Sequence, residues 1–143
     1  MTQCRQTNQI VFIGVGALHL AIGLALFVGL PIQHVSSIAS VTNLLGTYGT
    51  AFVMVAIGTL ALCSTLAHSQ LVGGGLLVSQ QIVLIASAVA GVACAMDGHY
   101  ADGTPADPWH IFFDQSVYLV MTIQHSTAIL QTHAPEVWEW LWG

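Results

Sequence analysis

Only one basic side chain other than histidine, Arg5, occurs in 143 residues, while long apolar stretches fill most of the rest. Charged residues make up 5% of the chain and hydrophobic ones 55%, whereas a soluble domain carries about a quarter charged residues to keep its surface wet. A chain with so little charge must cover its surface with lipid. The composition therefore predicts a polytopic membrane protein.

Crossing the hydrocarbon core takes about 20 mostly apolar residues in a helix. Four segments qualify: Ile10 to Leu30, Leu44 to Ala67, Leu71 to Met96, and Trp109 to Gln131, the last running on to His133. These runs lack the period-two alternation of a membrane β-barrel, so helices are left to pair every backbone group in lipid. The expected fold class is all-α: an integral membrane protein of four transmembrane helices in one antiparallel bundle. Its boundaries fall at about 10–30, 44–67, 71–96 and 109–133, with an interfacial tail over 134–143. The first run exceeds the roughly 7 to 15 residues of a signal-peptide core and is expected to stay as a span.

Lysine and arginine concentrate in cytoplasmic loops, so Arg5 places the N-terminus in the cytoplasm, and four crossings return the C-terminus to the same side. The segment Asp97 to Pro108, punctuated by Gly98, Gly103 and Pro105, then lies outside as a turn-rich loop. Trp138, Trp140 and Trp142 crowd the tail, where their amphipathic rings suit the headgroup level.

Lipid supplies no hydrophobic drive between helices, which leaves close packing of small residues and interhelical hydrogen bonds to hold them together. Gly16 and Gly23 mark one ridge of the first helix, and Ala17, Ala21 and Ala25 another. The third helix carries Ala86, Ala90 and Cys94 beside Ser87, Gly91 and Ala95. Two such ridges on a helix imply neighbours on both sides. The expected partners are the lipid bilayer and copies of the chain or other membrane subunits. A net charge of -5 argues against nucleic acid.

Ionisable groups inside a membrane are costly and mark function. His19 and His125 fall at matching depth near the middle of the first and fourth helices, with Gln80, Gln81 and Thr59 near the same level. This polar layer has three readings. It is interhelical glue; or His19 and His125 are the axial ligands of a b-type haem, with Gly16 and Gly23 leaving room for the macrocycle; or Asp114, Tyr118, Thr122 and His125, spaced by four, four and three along one helical face, carry protons or a cation. The outer loop adds a candidate metal set, His99, Asp102 and His110 with Asp97 and Asp107 nearby, suited to Zn²⁺ or Cu²⁺. No nucleophile-base pair, phosphate loop or dinucleotide fingerprint points to catalysis. The expected function is a non-catalytic structural or accessory component of a homo-oligomer or larger membrane complex. A haem-binding or electron-transfer subunit and a small proton or ion channel or transporter are the alternatives.

Overall fold

A computed structural model describes residues 2–30, 36–66, 69–100 and 103–143, with side chains described from Thr7 onward except at 36, 37, 39 and 40. Among the described residues the fold is all-helical: α1 (Thr2–Phe27), α2 (Ser36–Leu66), α3 (Gln70–Asp97), α4 (Pro108–His133) and α5 (Pro135–Trp142). Three stretches are long and apolar enough to cross a membrane: Thr7–Phe27, Val41–Leu66 and Gln70–Asp97. The 26 residues of α4 match them in length but are more polar.

Local chemistry sets the boundaries, and several differ from those expected from hydropathy. The first helix begins at Thr2 and stops at Phe27, before Leu30, because Gly29 turns left-handed (φ 73°). There the Leu30 N–H bonds the Ala25 carbonyl at 2.9 Å and the Gly29 N–H bonds that of Leu26 at 3.2 Å, a glycine cap that closes the helix. The second helix reaches back to Ser36, well before Leu44, and is kinked at Gly46 (φ 72°, ψ 167°). The third ends on Gly98, whose N–H caps Cys94. Asp107 accepts from the Trp109 N–H and Pro108 takes the first helical position, which starts α4. The tail expected over 134–143 is itself a short helix, α5, with Trp138 and Trp142 rings 5.8 Å apart.

The connection from α3 to α4 is a folded turn. The Tyr100 N–H bonds the Thr104 carbonyl, the Ala106 N–H bonds that of Gly98, and His99 bridges to Pro105. Ala106 is buried with Cys94 and Ile111 beneath it.

Glycines bring α1 and α2 into backbone contact. A Cβ at Gly23 would lie 2.7 Å from the Val55 side chain and 2.9 Å from the Ala51 carbonyl, and one at Gly58 would meet the Leu20 nitrogen at 2.8 Å. At Gly16 the Leu62 side chain stands 2.9 Å away. Polar pairs tie α4 in: Asn8 Nδ2 donates to Gln131 and Thr132, the Ser87 hydroxyl donates to Gln115 at 2.6 Å, and Gln81 donates to Ser126 at 3.1 Å. Phe12, Ile57, Leu76, Val83 and Ile129 form the centre of the largest apolar cluster.

Both ridges of α3 are used within the chain. Gly91 lies against Ile111 and Gln115 of α4, while Ala90 is buried and Cys94 receives a hydrogen bond from Asn43 of α2. Doubled ridges on this helix thus need no second molecule. On α1 the glycine ridge faces α2, but Ala17 and Ala21 are exposed.

Candidate functional site

The inward face of α4 repeats at helical spacing. Ile111, Thr122, His125, Ile129 and His133 are buried, and Tyr118 is packed against the central cluster. Opposite them α1 presents Phe12 and His19, both buried, and α3 presents Gln80. Polar and aromatic side chains interleave along this seam. The His19 and Tyr118 ring centres are 6.5 Å apart, Phe12 stands edge-on to His125 at 5.4 Å, and Phe12 lies 5.9 Å from His133.

His19 is oriented by its own helix. Its Nδ1 lies 2.8 Å from the Val15 carbonyl, which can only accept, so Nδ1 carries the proton and Nε2 holds the lone pair of the neutral ring. His125 is 0% exposed, and neither ring nitrogen has a hydrogen-bond partner among the described residues. The Tyr118 and Thr122 hydroxyls and Gln80 Oε1 share that condition. Each unsatisfied buried group costs about 1–3 kcal/mol, so this cluster is expensive for packing alone.

Other members of the expected polar layer fall elsewhere. Thr59 is exposed and bonds only its own helix, at the Val55 carbonyl. Gln81 is engaged by Ser126. Asp114 is half-buried and borders a cavity of about 410 Å³ together with His19 and Tyr118. That cavity is otherwise walled mainly by apolar side chains, including Ile22, Met54, Val83 and Met121. Ser87, also on its wall, is taken up by Gln115.

A haem held by both imidazoles does not fit this arrangement. The space expected beside Gly16 and Gly23 is filled by Leu62 and Val55 of α2. Phe12 packs on His125, and the cavity that borders His19 does not have His125 in its wall. A bis-imidazole iron would need the two ring nitrogens about 4 Å apart across an open slot.

Of the loop metal set, Asp102 lies outside the described residues. His99 Nδ1 is 3.2 Å from the Asp97 carbonyl, and His110 Nδ1 is 3.2 Å from Asp107 Oδ2 on an exposed surface. Among the described residues no three His, Cys, Asp or Glu side chains converge to hold a metal. The Asp107 carboxyl is held below its ordinary value, first by the His110 hydrogen bond and then by the Trp109 N–H.

Sequence reading missed Phe12, Asn8 and Gln115, which shape the seam. Asn8 just ahead of an apolar run, and Gln115 three residues before Tyr118, were signals available for two of them. Nothing in the order of residues marks Phe12 among other apolar side chains. No known family, curated protein or solved structure matches the chain.

Proposed function

We propose that the chain is an integral membrane protein of four antiparallel spans, both termini cytoplasmic, whose seam between α1 and α4 relays protons. The path runs from Asp114 past Tyr118, His19 and Thr122 to His125 and on toward His133. The observation that carries it is His125: an imidazole fully buried, unpartnered at both nitrogens, and on one helical face with two unpartnered hydroxyls. Chains of carboxylate, hydroxyl and imidazole groups are how intramembrane side chains pass protons.

The low hydropathy of α4 agrees with this reading. Its polar side chains Gln115, Thr122, His125, Ser126 and His133 are buried or engaged with α1 or α3, while Phe112, Phe113, Val117, Val120 and Ile123 form an exposed apolar face. Gln124 is exposed, as is His110 at the start of the helix. At about 1.5 Å per residue its 26 residues would reach across a bilayer. The antiparallel order is supported by Asn8 meeting Gln131, Gly58 meeting Gly16, Asn43 meeting Cys94, and Gly73 meeting His133. The test is proton flux into liposomes containing the purified full chain. Wild type and a Thr59→Val control should acidify the lumen under a pH gradient, and His125→Leu should reduce that flux at least tenfold. Equal flux from wild type and His125→Leu, or none above empty liposomes, would overturn the reading.

A second reading, a component of a homo-oligomer or larger membrane assembly, is favoured by a different face. Gly14, Ala17 and Ala21 are exposed on one side of α1, and nothing stands within 4 Å of a Cβ built at Gly14. Small residues at such spacing permit close approach of another helix. Ala21→Leu should then shrink the particle in mild detergent without lowering the stability of the single chain. An unchanged particle size would remove this reading.

A further inference from the structure

The cavity beside His19 draws its wall from all four long helices and opens between α1 and α4, where Leu18, Phe113 and Val117 are exposed. Behind that mouth it reaches Met54 of α2 and Val83 of α3, both buried. It therefore enters the bundle, whereas an ordinary lipid contact stays on the outer face. Its volume of about 410 Å³ is more than twice that of an apolar cavity of about 150 Å³ that takes up benzene.

The wall offers a guest little besides carbon. The Tyr118 hydroxyl has almost no accessible surface and so is not presented to the cavity. Ser87 is taken up by Gln115, and His19 is buried with its Nδ1 on the Val15 carbonyl. Asp114 stands on the wall six positions after Pro108, toward the outer end of α4. A guest suited to such a wall is a hydrocarbon, because a polar group carried inside would lose its water without gaining a partner. The flexible side chains of Met54 and Met121 can fit themselves to a chain of varying shape.

Depth selects the source of that hydrocarbon. Phe113 and Val117 lie five and nine positions after Pro108, about 8 and 14 Å along the helix. In the four-span reading α4 begins at the outer boundary, which puts the mouth within the hydrocarbon layer and below the headgroups. Acyl chains are what the bilayer presents at that depth. A phospholipid can insert one chain there and keep its headgroup in the interface, whereas a free fatty acid would bring a carboxylate to the outer part of the wall, where Asp114 stands.

We propose that the cavity holds one acyl chain of a bilayer phospholipid, inserted between α1 and α4 and seated against Met54 and Val83. The proposal rests on the four-span reading and not on proton relay. The measurement is photolabelling of the full chain in phosphatidylcholine vesicles by a phosphatidylcholine that carries a diazirine midway along one acyl chain, with labelled residues mapped by mass spectrometry. Met54 and Val83 should be labelled, as should Val120 and Ile123, which are exposed on α4 and outside the cavity wall. Val117→Trp should abolish the label at Met54 and Val83 and leave that at Val120 as in wild type. Because Val117 is exposed, the larger ring displaces no buried residue, and native thermal stability should be kept. Leu18→Trp closes the mouth from the α1 side and should act in the same way. Label at Val120 and Ile123 with none at Met54 or Val83 would overturn the proposal, as would undiminished label at Met54 and Val83 in both Trp variants. Label at those two residues from a diazirine fatty acid but not from the phospholipid would identify a free acid as the occupant and overturn it equally. No label at Val120 and Ile123 would mean that α4 does not span, overturning the four-span reading and this proposal with it, so the two failures are told apart.

Discussion

Two adjacent strips on the buried side of α1 are built on opposite principles. Toward α2, Gly16, Gly23 and Gly58 strip the interface of side chains until backbone meets backbone. Toward α4, the same helix presents Phe12 and His19 to Tyr118, His125 and His133, with aromatic edges, unpartnered polar atoms and a cavity between them. The first face gains from many close dispersion contacts and leaves nothing to react. The second gives up some of that packing and retains buried polar groups without hydrogen-bond partners among the described residues. A short membrane protein can thus set close backbone packing and unpartnered polar groups side by side on the buried side of one helix.

The contrast is most severely tested at Gly58. A leucine there would drive its Cβ into the Leu20 nitrogen and the Gly16 carbonyl, both backbone atoms that cannot swing aside. Gly58→Leu should cost about 3 kcal/mol, the upper part of the overpacking range, read as a large drop in thermal stability in detergent. Full stability would mean that the two helices are not in close contact.

In the seam with α4, His125→Leu should leave the protein as stable as wild type or stabilise it by about 1 kcal/mol, because an unsatisfied buried ring is exchanged for an apolar group of similar size. Steric denaturation assays check this directly. A loss greater than about 1 kcal/mol would mean that the ring holds the bundle together, and the two faces would then differ less than argued.

Gly14 sharpens the comparison by its position on α1 away from both interfaces. With open space around its Cβ, Gly14→Ala should change chain stability by less than about 0.5 kcal/mol. A marked loss would reveal a further contact on that side.

The smallest effect lies outside the seam, at Asp107. Its lowered pKa means that the carboxylate's contribution to the α4 cap is complete above the ordinary carboxylate range and is lost as pH falls through the lower folded value. Protection of the Trp109 amide against exchange, taken relative to the intrinsic rate at each pH, should fall slightly on acidification in wild type, and Asp107→Asn should abolish that change in protection. An unchanged pH response in the variant would assign it to another group.

Much of the helical plan was legible in residue order. Long apolar runs with little charge leave few alternatives in lipid, and Asp107 with Pro108, or Gly98 after α3, are local cap signals that act within one turn. The ends that moved did so for equally local reasons: Gly29 cut α1 short through its left-handed backbone, and α2 continued back through Gly46 as a kinked helix. Part of the candidate site was legible too. The periodicity of Asp114, Tyr118, Thr122 and His125 identified one stripe on α4, and depth matching brought His19 to it. Thr59 shows where such reasoning stops, because depth says nothing about which way a residue faces around its helix axis.

Composition and hydropathy by themselves determined that the chain is helical, apolar on its outside and sparing with charge, since these follow from the lengths of its apolar runs and the backbone's need for hydrogen bonds. Tertiary structure alone decided the rotation of each helix about its axis. That rotation turns Gly16 and Gly23 onto α2 rather than beside a cofactor, turns Ala21 outward, and gathers Phe12, His19, Tyr118 and His125 into one seam. The physical reason is that small-residue ridges and polar stripes on one helix offer several nearly equivalent faces to a neighbour, and only simultaneous packing of all four long helices selects among them.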